Sequence, residues 1–255
     1  NEGIKGSGKD QKGNYIYGEK ELTYVNKIET KTHVAFIDLE NRNDAMGVIG
    51  EHGGRSNLAM KYIKSIRLYS KAELAFDGSG NALDPGIVSA VKPIKTAHFE
   101  YDYSLCKNIP SSTTFNTSTK KGEGKLTLKK VYFTYRASNM GKYTPYKFDY
   151  AESNPDSNPD YAIKAFDIWG NYNPLTSSPT TVEFPFVKQD QTNAINQINA
   201  DKNTSVWTLK NITLPSGGKI SIQTESDDYK YVQNKKAMQM FKVVGAGNEP
   251  SPSEG

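Results

Sequence analysis

Apolar and polar residues alternate along most of this chain, and three times the alternation takes one form: apolar–Lys–x–β-branched–x–apolar. The copies are Ile63-Lys64-Ser65-Ile66-Arg67-Leu68, Leu128-Lys129-Lys130-Val131-Tyr132-Phe133 and Leu209-Lys210-Asn211-Ile212-Thr213-Leu214. A looser fourth copy, Val25-Asn26-Lys27-Ile28-Glu29-Thr30, stands near the start. Apolar residues two apart share one face of a strand, whereas a three-residue step changes face. Each copy therefore predicts a strand with a bulge or face switch, followed by a half-buried stretch. Recurrence at irregular distances predicts one β-hairpin unit used several times, with insertions between copies.

Further strands are expected at Leu22 to Ile28, Thr32 to Leu39, Tyr62 to Ser70, Lys95 to Tyr103, Lys125 to Tyr135, Pro145 to Tyr150, Tyr161 to Ile168 and Val182 to Val187. Gly-rich sequence at 47–54, the turn Asp77-Gly78-Ser79-Gly80-Asn81 and the polar stretch from Ser111 to Gly124 separate them. Two segments suit short helices: Gln191 to Ala200, with Ala194, Ile195 and Ile198 at helical spacing, and Tyr231 to Phe241 around Ala237, Met238 and Met240. The expected fold is all-β, an antiparallel β-hairpin array or an open sheet or sandwich built from irregular repeats, with one or two short helices. Residues 1–20, with five Gly, read as a flexible or frayed arm. Residues 21–245 read as the β-rich repeat domain, and 246–255, with Pro250 and Pro252, as a linker or tail. The opening Asn1-Glu2-Gly3, without initiator Met or signal peptide, suggests a piece of a longer protein.

Composition narrows the function classes. The chain has 32 basic and 28 acidic residues, a net charge of +4, so no strong field selects nucleic acid or an anionic membrane. No apolar run is long enough for a transmembrane helix. Tyr, with 16 copies, outnumbers Phe and Trp together, which suits sheets with one packed and one wet face. Cys106 is the single cysteine and forms no intrachain disulfide.

The candidate chemistry is thin. Asp77 to Asp84 places oxygen side chains at alternate positions, as a calcium loop does, but lacks Gly at the sixth position and has Val88 where a bidentate Glu belongs. The reading is a polar hairpin turn. The repeated Asn-Pro-Asp of 154–160 reads as a rigid loop. His33, His52 and His98 lack the short spacing of a zinc site, and His33 and His98 read as half-buried strand residues. Cys106 has no local base partner. The acidic cluster Glu225, Asp227 and Asp228 reads as a solvated turn rather than two carboxylates facing across a cleft. No catalytic, metal or cofactor residues are assigned.

Phe166-Asp167-Ile168-Trp169-Gly170-Asn171-Tyr172 reads as a strand end, a tight turn with Gly170 at positive φ, and a strand restart. It resembles the turn of the YD (Rhs-type) repeat, with Phe166 where that family usually has Tyr. Phe99-Glu100-Tyr101-Asp102 and Tyr146-Lys147-Phe148-Asp149 resemble that repeat's aromatic-x-aromatic-Asp strand, and the Leu-Lys-x-Val and Leu-Lys-x-Ile steps look like its Leu-x-x-Ile step. Leu209 to Phe241 looks more like large surface proteins of Bacteroidetes-type bacteria. The pieces do not form contiguous units of constant length. The resemblance implies a section of a big extracellular β-rich protein, a shell or scaffold, with no catalytic residues to carry over.

The expected function is therefore a non-enzymatic structural section of a larger secreted or cell-surface bacterial protein, partnered by flanking domains of the same polypeptide. The alternative is an adhesin module binding surface glycan or protein through Tyr143, Tyr146, Trp169 and Tyr172. A second alternative is a glycosidase-type or calcium-dependent hydrolase.

Overall fold

The computed structural model describes residues 17–50, 55–86, 90–119, 121–150, 158–162 and 201–225, together with 165, 172, 174, 198, 231–232 and 235–236. Eight strands form one antiparallel open sheet in chain order: β1 (Lys27–Glu29), β2 (His33–Val48), β3 (Arg55–Ser70), β4 (Lys95–Leu105), β5 (Lys125–Thr134), β6 (Tyr146–Asp149), β7 (Asn211–Thr213) and β8 (Lys219–Ser221). Each strand pairs with the one before it, so the sheet is a meander with β1 and β8 at its edges. The all-β expectation holds, in its open-sheet form.

The chain divides into two compact units. One contains residues 1–163 and 207–223, and thus the whole sheet; the other contains 164–206 and 224–255. In the second unit the described residues include buried Ala165, helical residues 201–204 and a small hairpin of β9 (Tyr231–Val232) with β10 (Lys235–Lys236). Tyr231–Val232 and Lys235–Lys236 are strand rather than the start of the helix expected over Tyr231 to Phe241, whose Ala237, Met238 and Met240 lie outside the described residues. Val232 faces Lys235 and Tyr231 faces Lys236, because aromatic and β-branched residues favour a pleated pair over a helix start. Most of Tyr161 to Ile168, all of Val182 to Val187, most of Gln191 to Ala200, and Gly170 lie outside the described residues.

Three strands differ markedly in length from the sequence reading. β1 covers only Lys27–Glu29, with Leu22 and Val25 exposed ahead of it. β2 and β3 instead extend well beyond Thr32 to Leu39 and Tyr62 to Ser70, up to the Gly-rich stretch at 47–54, as a hairpin of two 16-residue strands. Pairing across the hairpin holds this distal part in strand form although its own pattern is polar.

The lysine-bearing motifs fall on β1, β3, β5 and β7. In β3, Asp38 faces Ser65 and Leu39 faces Ile63, so Lys64 is an extra residue in the ladder. In β5, Glu100 faces Lys130 and Tyr101 faces Leu128, so Lys129 is extra in the same way. Both are β-bulges at the second motif position. In the third copy, the Lys210 N–H donates to the carbonyl of Asp149, the residue facing Asn211 (2.8 Å).

The sheet's main core is small and one-sided. Val34, Phe36 and Tyr69 pack with Leu74, Ala82 and Val91 of the connection between β3 and β4. Phe36 and Tyr69 meet edge to face at 5.9 Å. The Lys27 ammonium reaches the Ala82 carbonyl from β1 (3.4 Å), tying this cover to the edge strand.

Candidate functional site

Side chains alternate between the two faces of each strand, and ladder register carries a face across the sheet. One row runs Ile28–Ala35–Leu68 on β1 to β3. The next runs Ile37–Ile66–Ala97–Phe133 on β2 to β5. Phe99–Val131–Tyr146 follows on β4 to β6, then Phe148–Ile212–Ile220 on β6 to β8. These rows form one apolar face from the first strand to the last, and none of their side chains is buried. Ile28 and Ile220, at its two ends, are 56% and 48% exposed.

The opposite face is polar wherever the β3–β4 connection does not cover it. It carries Lys27 and Glu29 on β1, Arg67 on β3, His98 and Glu100 on β4, Lys130 and Tyr132 on β5, Lys147 on β6, Thr213 on β7 and Lys219 on β8. Lys130 and Glu100 pair across strands at 2.8 Å. His98 stacks on Tyr132 at 4.6 Å, and its Nε2 meets the Thr134 hydroxyl at 2.8 Å. Burial lowers the His98 pKa below its ordinary value, so the ring is neutral at pH 7.

Two buried charge groups, invisible in the sequence pattern, hold this arrangement. Arg67 is 5% exposed and forks onto both Asp38 (2.7 and 2.8 Å) and Asp84 (2.7 and 2.9 Å), while Nη1 donates to the Tyr69 hydroxyl at 3.0 Å. Burial alone would raise the Asp38 pKa, but hydrogen bonds from Arg67 and Ser65 outweigh it and hold the carboxyl below its usual value. The Arg67 hydrogen bond likewise lowers Asp84. The fold thus brings two carboxylates together, but both are spent on one guanidinium and cannot divide acid and base roles.

The second group sits where β2 bulges between Asn41 and Met46. Asp44 there is fully buried, accepting from Arg42 Nε (2.9 Å) and Nη2 (2.7 Å) and from the Leu126 N–H (3.0 Å). Its own carbonyl accepts from the Ser111 hydroxyl at 2.8 Å. Burial pushes the Asp44 carboxyl upward, yet the Arg42 and Leu126 bonds leave it lowered overall. The result staples the long hairpin to the start of β5.

The residues singled out from sequence are only partly brought together. Tyr146 lies on the apolar face, edge to face with Phe133 at 6.4 Å. Tyr143, 68% exposed, ends the 3-10 turn Met140–Tyr143 just ahead of it, with the Lys142 ammonium 5.0 Å from its ring centre. Tyr172 is half-buried in the second unit, and Trp169 lies outside the described residues.

The Asp77 loop is a hairpin turn closed by the Phe76–Ala82 bridge. The Asp77 carboxylate accepts from the Ser79 and Asn81 N–H groups and from the Asn81 amide (2.8–3.0 Å). His33 is exposed at the start of β2 rather than half-buried, because a strand's first residue has a ladder on one side only; His52 is outside the described residues. Cys106 is half-buried, and burial raises its pKa, which leaves a weakly nucleophilic thiol.

A recess of about 370 Å³ lies between Tyr103, Lys107, Thr114, Lys121, Gly122 and Glu123. It holds no nucleophile–base pair, although Glu123 Oε2 is buried there without a hydrogen-bond partner. Among the described residues, no group of His, Cys, Asp and Glu could hold a metal ion. No described helix is long and apolar enough to cross a membrane. The apolar face is the feature that sequence reading missed, although the fourth motif positions, Ile28, Ile66, Val131 and Ile212, all lie on it. Compared with known proteins, the chain matches no family model, no curated protein and no solved structure.

Proposed function

We propose that this chain is a non-enzymatic structural section of a larger secreted or cell-surface protein, forming one layer of a β-rich wall. Its polar face meets water and its apolar face packs against another layer of polypeptide. One observation carries this reading: the apolar rows run unbroken from β1 to β8, yet not one of their side chains is buried. A contiguous apolar surface of this extent marks an interaction site. The motif's recurrence on alternate strands supports the same reading, since one hairpin unit used repeatedly builds an extended surface rather than a pocket.

The test is binding of an environment-sensitive naphthalenesulfonate dye to the folded chain. Bright fluorescence is expected, with a several-fold drop in a Phe99→Ser, Phe148→Ser variant whose far-UV spectrum is unchanged. Fluorescence no higher than that of an ordinary compact protein would overturn the reading. Exposed Tyr143, capped by Lys142, favours glycan or protein recognition as a second reading. A surface glycan or protein captured by the wild-type chain and lost with Tyr143→Ala would move the function there.

A further inference from the structure

We propose that the sheet continues from copy to copy, β8 of one chain pairing antiparallel with β1 of a second copy. This deepens the scaffold reading and rests on one part of it, that the hairpins repeat a single unit.

The existing junctions define what such an edge accepts. Each motif strand after the first lies against the return strand that precedes it, with its fourth position facing an apolar residue: Ile37 to Ile66, Phe99 to Val131, Phe148 to Ile212. The next residue of each return strand is acidic and faces the third position: Asp38 to Ser65, Glu100 to Lys130, Asp149 to Asn211. Among the described residues, β1 is a motif strand with no return strand before it. β8 is a return strand with no motif strand after it. Each edge is the half-junction that the other completes.

Backbone polarity fits this pairing. The Ile37 N–H donates to the Asn26 carbonyl (2.8 Å) and the Thr30 N–H to the His33 carbonyl (2.9 Å). Alternation then turns Ile28 toward β2 and leaves Lys27 and Glu29 facing outward. At the other edge, the Ile222 N–H donates to the Lys210 carbonyl and the Leu214 N–H to the Gly218 carbonyl, both at 2.8 Å. Ile220 therefore turns inward, and Lys219 and Ser221 face outward. Setting Ile220 opposite Ile28 of the second copy repeats the internal register and matches these outward groups. Lys219 then meets Glu29 of the second copy, opposite in charge, and Ser221 meets Lys27. The two exposed isoleucines extend the apolar row across the joint. Such a heterologous contact does not close on itself and produces growing chains.

Proline blocks each edge separately, by removing an outward N–H that no internal ladder uses. Sedimentation of the wild-type chain at rising concentration is expected to show a growing series of species. Lys219→Pro and Glu29→Pro are each expected to remain monomeric, and an equal mixture of the two to stop at a dimer. Far-UV spectra confirm that each variant is folded. Should either proline unfold the chain, Lys219→Glu and Glu29→Lys replace them. Each alone should then associate several-fold more weakly than wild type, and their mixture should recover the growing series, because both alternating joints are then opposite in charge.

A wild-type chain that stays monomeric throughout, or a mixture that fails to pair, overturns the proposal. Association that survives both edge blocks also overturns it, and points to the apolar face instead. The dye test is independent of both edges, so the scaffold reading and this pairing can fail separately.

Discussion

Arg67 shows how one side chain can govern the sheet's covered corner. A buried guanidinium is tolerable only when paired, and here two carboxylates and a phenol share it. Its flat cation also lies against Phe36 and Tyr69, about 5.8–5.9 Å from each ring centre. Arg67→Met leaves Asp38 without its partner and is expected to cost about 3–5 kcal/mol in urea unfolding. Lys130→Ala, which breaks an exposed pair with Glu100, should cost no more than about 1 kcal/mol. Equal effects would mean the Arg67 group is not dry. At Gly124 the constraint is steric. A Cβ there would stand 1.8 Å from the Leu105 carbonyl oxygen, whereas one at Gly78 meets nothing within 4 Å. Gly124→Ala is expected to destabilise by about 1–3 kcal/mol or more through overpacking, and Gly78→Ala by less than about 0.5 kcal/mol. Paired thermal melts of the two variants check this.

At the scale of elements, the bulges set which face each strand shows. A residue added to one strand leaves the ladder intact on both sides but kinks it between them. Lys129 keeps Leu128 facing Tyr101 while Lys130 faces Glu100. Deleting Lys129 forces a choice between those two registers, and one side of the bulge must turn its side chains over. The expected loss is about 1–3 kcal/mol for the half-buried apolar side chains misplaced, read as a lower thermal midpoint. A midpoint equal to wild type would show that the bulge is incidental to the register. The connection between β3 and β4 acts differently. It supplies Leu74, Ala82 and Asp84 to the covered corner, so this long insertion between two motif copies is, among the described residues, the part of the main core that is not strand.

Across the whole sheet, stability should follow the state of its arginine-paired carboxylates. Asp38, Asp44 and Asp84 all have folded pKa values below their unfolded ones. Groups depressed in this way contribute fully above the unfolded value of about 3.9, and the contribution is lost as pH falls through the folded values. Urea midpoints should therefore be flat above about pH 7, decline modestly below about pH 6.5, the unfolded histidine value, and fall steeply below about pH 4. His98, neutral in its stack on Tyr132, adds to the loss as it is forced to charge. A midpoint that rises on acidification would contradict the observed pairing.

Much of this architecture is legible in local sequence. Alternation with a period of two identifies strands without reference to any partner, and a three-residue step identifies a bulge or a change of face; the ladder decides for the bulge, which keeps Ile63 with Ile66 and Leu128 with Val131 on one face. That is why β3, β5 and β7 could be located, and why the bulges fall inside the lysine motifs. Local pattern also says that Tyr146 and Phe148 share a face. It does not say whether that face is covered, because cover comes from elsewhere in the chain. The connection after β3 folds over Val34, Phe36 and Tyr69 and leaves the opposite face open. Nor does sequence reveal that Asp44 will bond Leu126, 82 residues away, or that Asp38 and Asp84 will share Arg67. Those partners are chosen by register between distant strands and by the desolvation that follows. A charge unremarkable in the unfolded chain becomes a fixed point of the fold once water is excluded from it.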